Sequence, residues 1–176
     1  NARGVAYQHH LISSLYILWE QYDLALEENR KTESILRFVL ENSDLNPNSS
    51  VMKQAKNLLG KSISQLVQIN TKLGNYEEAL TLSKEATKLL KDWPYAYVDH
   101  MKIESDLYNS QEELYLALES IDKALKTCDL EGLDIRKISL LRAKLDLLKL
   151  NKLERSALDV AEEINLFTVK IQNERM

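Results

Sequence analysis

Leu73-Gly74-Asn75-Tyr76-Glu77-Glu78-Ala79-Leu80, continued by Thr81-Leu82-Ser83-Lys84-Glu85-Ala86, reads as a junction between two helices. Gly74 can close the first in a left-handed conformation at no steric cost, and Asn75 can cap the second, with Glu78 reaching back as in a capping box. A junction that short makes the two helices antiparallel neighbours. Ala79, Ser83 and Ala86 fall at i, i+4 and i+7, so one face of the second helix carries only small side chains and another helix can approach closely.

Looser copies recur along the chain. Gln21-Tyr22-Asp23-Leu24-Ala25-Leu26 aligns with Asn75-Tyr76-Glu77-Glu78-Ala79-Leu80, although Asn29 and Thr32 then stand where small or apolar residues are expected. Ala117, Ile121 and Ala124 repeat the small-face spacing after a turn at Asn109-Ser110 and a second candidate capping box, Ser110 to Glu113. Ala157, Ala161 and Ile164 follow a turn at Asn151-Lys152. The first small residues are separated by 79−25=54, 117−79=38 and 157−117=40 positions.

These spacings resemble the tetratricopeptide repeat, a helix pair of about 34 residues whose second helix carries the same small-residue signature. The repeats here are longer and degenerate. The resemblance implies an all-α fold: a right-handed α-solenoid of about four antiparallel helix pairs, at roughly 5–42, 51–91, 94–128 and 134–172, forming one domain over 1–176. Pro94 suits a helix first turn and echoes the proline that closes a repeat in that family. The loop chemistry of Asn42 to Ser50 separates the first two pairs, and Gly60, inside a helical pattern, marks a close helix contact or a bend. The tail Leu166-Phe167-Thr168-Val169-Lys170-Ile171 extends the last helix and is expected to add core.

Composition agrees with helices. Four Gly and two Pro in 176 residues are too few for the turns of an all-β fold. The net charge of −4 gives no global attraction for a phosphate backbone, so nucleic acid is not an expected partner. Cys128, the only cysteine, cannot form an intramolecular disulfide and reads as a small apolar filler. No apolar run reaches the roughly 20 residues of a membrane span. The chain is expected to be intracellular, cytoplasmic or nuclear, and to be a piece of a longer protein.

Catalytic groupings are not visible. His9 and His10, adjacent on a helix, point about 100° apart and cannot chelate one ion, and His100 lies far away in sequence. No base, orienting partner and nucleophile come together, and no glycine loop could cradle a phosphate, so neither enzyme activity nor a cofactor is expected. In the tetratricopeptide family the first helix of each pair lines a concave groove. With Gly74 fixing the register, the resemblance places Lys61, Ser64, Gln68 and Thr71 there, then Asp99, Lys102, Asp106 and Asn109, then Ser139, Arg142, Asp146 and Lys149. All are polar or charged, and their mixed signs suit a peptide or helix carrying both charges. The Lys and Arg pattern with which chaperone-binding members hold a terminal carboxylate is missing, since Ile138 stands four before Arg142.

The expected role is a scaffold that holds a protein partner or forms a section of a larger assembly, with self-association possible through apolar helix ends. The alternatives are an RNA-binding helical repeat, which needs a basic inner face, and a regulatory segment of an enzyme.

Overall fold

A computed structural model describes residues 2–42 and 49–174. Among them are eight helices and no strand: α1 (Ala2–Leu18), α2 (Tyr22–Asn42), α3 (Ser50–Leu73), α4 (Tyr76–Leu90), α5 (Pro94–Ser110), α6 (Leu114–Glu131), α7 (Asp134–Leu150) and α8 (Glu154–Glu174). Most of the loop expected between Asn42 and Ser50 lies outside the described residues. Consecutive helices pack as four pairs, and each second helix also packs on the first helix of the next pair. The first helices α1, α3, α5 and α7 lie side by side. The second helices stand further apart, and long side chains bridge α2 to α4, Arg30 to Glu78 and Arg37 to Glu85.

All four turns within the pairs have one geometry. Glu20, Gly74, Glu112 and Lys152 are left-handed, with φ of 58°, 79°, 62° and 59°. The next residue's amide then bonds five residues back, Gln21 to Tyr16, Asn75 to Asn70, Glu113 to Tyr108 and Leu153 to Leu148, at 2.8–2.9 Å. This is the Schellman closure of a helix C-terminus. The carbonyl of that same residue accepts the first intrahelical bond of the next helix, from the amides of Ala25, Ala79, Ala117 and Ala157 at 2.9–3.0 Å. Only at Gly74 did the sequence announce the left-handed residue. The other three turns place Glu or Lys there, a conformation disfavoured by roughly 1–2 kcal/mol for a residue with a Cβ.

Neither capping box forms. Asn75 makes no side-chain cap bond, and its side-chain Nδ2 instead donates to Asn70 Oδ1 at 3.1 Å. Ser110 is the last residue of α5, donating to the Asp106 carbonyl, and Glu113 takes the cap position of α6. The turn itself falls at Gln111–Glu112, two residues beyond the expected start at Asn109. The reason is backbone geometry: Asn75 and Glu113 have ψ near 61° and 62°, not the extended value that aims a cap side chain at the helix amides. Ser49, with ψ 152°, does cap α3 by accepting from the Met52 amide.

The small face is the centre of each pair. Ala25, Ala79 and Ala117 are fully buried and Ala157 nearly so. Ser83, Ala86, Ile121 and Ala124 are buried beside them. Asn29 and Thr32, which depart from the expected pattern, hold the same buried positions. Asn29 donates to Gln65 at 2.7 Å and accepts from Ser62, and Thr32 donates to the Ala6 carbonyl. Satisfied hydrogen bonds let polar groups take core positions. The tail is less buried than expected: Phe167 and Ile171 are half-buried, while Leu166 and Val169 are exposed.

Gly60 is a contact and not a bend. A Cβ there would sit 2.7 Å from Leu90 Cδ2 and 3.0 Å from Leu89 Cβ, both on α4. Gly60→Ala is therefore expected to destabilise the fold, because overpacking of about 1–3 kcal/mol outweighs a helix-propensity gain of at most about 1 kcal/mol. Urea denaturation checks this, and a more stable variant would show the contact to be loose.

Candidate partner-binding groove

A groove of about 1020 Å³ opens between α5, α7 and the C-terminal part of α8. Six of the positions expected from the sequence line it: Lys102, Asp106 and Asn109 from α5, and Ser139, Arg142 and Asp146 from α7. Its apolar floor was not anticipated. Ile138 and Leu147 of α7 and Ile171 of α8 form it, and the exposed Ile135 and Leu150 stand at its edges. Ile138 falls in helical register with Leu141, Leu145 and Leu148, and that spacing alone does not separate core from groove.

The charges lie in two layers. Arg142 follows Lys102, and Asp146 follows Asp106, by the same 40 positions that separate the left-handed turns at Glu112 and Lys152. Each pair therefore occupies equivalent places on adjacent first helices. On both helices the base precedes the acid by four residues, the weaker direction for a helical ion pair. None of the four enters an ion pair among the described residues, whereas neighbouring Asp99 and Arg136, and Lys144 and Asp122, are paired at 3.0 Å and 2.6 Å. Desolvation by the groove walls raises the pKa of the Asp106 carboxyl, and Lys102 and Lys72 oppose that shift.

The other expected positions do not join this groove. Ser64 and Thr71 are buried, Ser64 against His100 Nδ1 at 3.0 Å and Thr71 donating to the Val67 carbonyl at 2.7 Å. Ser64 is the equivalent of Lys102 and Arg142, but its short side chain stops below the surface that those longer ones reach. Gln68 is half-buried, Asp99 is held by Arg136, and Lys149 is exposed beyond the groove lining. Lys61 lines a separate cavity of about 460 Å³ between α1 and α3.

The histidines have structural surroundings. His100 is fully enclosed, within 3.0–3.3 Å of Ser64, Ser83 and Thr87. Glu104 accepts from Ser83 and Ser120 and so ties α4, α5 and α6 together. Burial lowers the His100 pKa, against the pull of Glu104. His9 contacts Glu28 at 2.6 Å. The His10 pKa is lowered to about 4 by burial and then by Lys61. Cys128 is buried and its thiol is pushed up to about 11, chiefly by desolvation. Among the described residues no group of three His, Cys, Asp or Glu is placed to hold a metal, and no helix is long and apolar enough to cross a membrane. The groove thus sets charges that form no ion pair among the described residues beside apolar side chains.

No family model matches the chain, and no curated protein matches it.

Both His10 and His100 release protons more readily in the folded state, so below about pH 6.5 the unfolded chain binds more protons and stability falls as the pH drops. A lowering of His10 from 6.5 to about 4 corresponds to up to about 3 kcal/mol, present above the unfolded value and lost on approaching pH 4. Urea unfolding at pH 7.5 and pH 4.5 is expected to show a smaller loss in His10→Gln than in the wild type. Equal losses would contradict this assignment.

Proposed function

We propose that this chain is a protein-interaction scaffold, a tetratricopeptide-like α-solenoid of right-handed sense whose first helices form the inner wall. The closer spacing of the first helices than of the second supports an inner face on that side. The partner is a helical or extended protein segment lying in the groove of α5, α7 and α8. The observation carrying this reading is the layered charge of Lys102 with Arg142 and Asp106 with Asp146 above Ile138, Leu147 and Ile171. Unpaired charges gain more from a complementary partner than charges already neutralised within the fold. The apolar floor supplies buried area, and the charges supply register. A section of a larger assembly would use the same surface.

Co-purification of the protein with its partners, read by mass spectrometry, tests this. Lys102→Glu combined with Arg142→Glu is expected to lose captured proteins that the wild type retains, with the melting temperature nearly unchanged because both side chains are exposed. Identical capture by the two forms would reject the groove.

A further inference from the structure

Charge is segregated between the layers in a way that the net charge of −4 conceals. The first helices α1, α3, α5 and α7 carry +1, +4, −2 and +3, while the second helices α2, α4, α6 and α8 carry −2, −1, −2 and −3. The extreme is the N-terminal half of the first-helix layer. Arg3, Lys53, Lys56, Lys61 and Lys72 lie on α1 and α3, and neither helix contains an Asp or Glu. The four lysines are all exposed. Lys53, Asn57, Lys61, Gln68 and Lys72 follow one another at four- or seven-residue intervals, so they form one stripe along α3.

Within that basic surface lies the cavity of about 460 Å³, whose lining includes Arg3, Tyr7, His10, Gln54, Asn57 and Lys61 and no acidic residue. Arg3 is oriented by a hydrogen bond to Gln54. His10 Nδ1 and Asn57 Oδ1 are buried there with no hydrogen-bond partner among the described residues. Buried polar atoms are rarely left unpaired, and two at one cavity beside two cations point to a missing polar group. A neutral imidazole can present an N–H at either nitrogen, and the two ends of a side-chain amide are interchangeable by rotation. A group with two acceptor oxygens satisfies both sites at once, and Lys61 and Arg3 supply the opposing charge.

We propose that α1 and α3 form a docking site for an acidic segment of a partner protein, with one carboxylate seated between Arg3, His10, Asn57 and Lys61. This rests on the first helices being the partner-binding wall and adds the chemistry of what binds at one end of it. A short acidic segment suits the patch better than a nucleic acid does. The cations without acidic neighbours on their own helices are confined to α1 and α3 and the chain as a whole carries −4, so a ligand whose charge is as confined as the patch gains most from it.

Fluorescence anisotropy with fluorescein-labelled deca-glutamate, deca-lysine and decauridylate provides the test. Deca-glutamate is expected to bind in preference to deca-lysine, to weaken as salt is raised, and to lose roughly tenfold or more in affinity in Lys53→Glu combined with Lys61→Glu. Lys61→Arg is expected to retain most of the binding, and circular dichroism melts establish that each variant is folded. No preference for deca-glutamate, or unchanged affinity in the folded double variant, would overturn the proposal. Decauridylate binding as tightly as deca-glutamate would overturn the choice of a protein partner. The Lys102→Glu, Arg142→Glu form serves as the control that keeps the two readings apart: it is expected to bind deca-glutamate as the wild type does, and its failure to alter co-purification would reject the groove while leaving the basic site standing.

Discussion

The structure depends on how closely two helices can approach just after a left-handed turn. At each of the four turns the carbonyl that follows the left-handed residue accepts the amide of an alanine, and that alanine's methyl lies buried in the helix pair. Backbone closure and side-chain size are therefore set within the same six residues, from the left-handed residue to the alanine. A larger side chain at the alanine would separate the helices at the point where the turn holds them together. Because each second helix also packs on the next first helix, the contact passes from one pair to the next through the whole stack.

The division of labour between the helices follows from that packing. First helices lie side by side and present their remaining faces as a wall, basic over α1 and α3 and layered in both signs over α5 and α7. Second helices carry the acidic excess, part of it neutralised by bridges such as Arg37 to Glu85. The buried polar nodes at Asn29 and His100 act inside the wall. Each joins adjacent helices through several hydrogen bonds.

The repeat was legible in the sequence through its alanines, since the separations of Ala25, Ala79, Ala117 and Ala157 equal those of the four left-handed residues. The turn at Asn151-Lys152 was legible, but the left-handed conformation of the non-glycine turn residues was not. Glu20, Glu112 and Lys152 have no intrinsic preference for positive φ and are held there by the hydrogen bonds of the closure and the packing of the pair. Asn29 and Thr32 looked like departures from the pattern because residue type alone does not reveal the partners, Ser62, Gln65 and the Ala6 carbonyl, that satisfy them. Groove positions were legible where the side chain is long, at Lys102 and Arg142, and misleading where it is short, at Ser64 and Thr71. The basic surface of α1 and α3 escaped a reading based on total charge, because the acidic excess of other helices cancels it in the sum.

The stability of Ala79→Leu, measured by urea denaturation alongside far-ultraviolet circular dichroism, tests the governing contact most directly. Ala79 is fully buried at the second of the four turns. The expected result is a loss of about 1–3 kcal/mol with helical content retained. A variant as stable as the wild type would contradict the account, since the helices would then not be meeting through an alanine-sized gap.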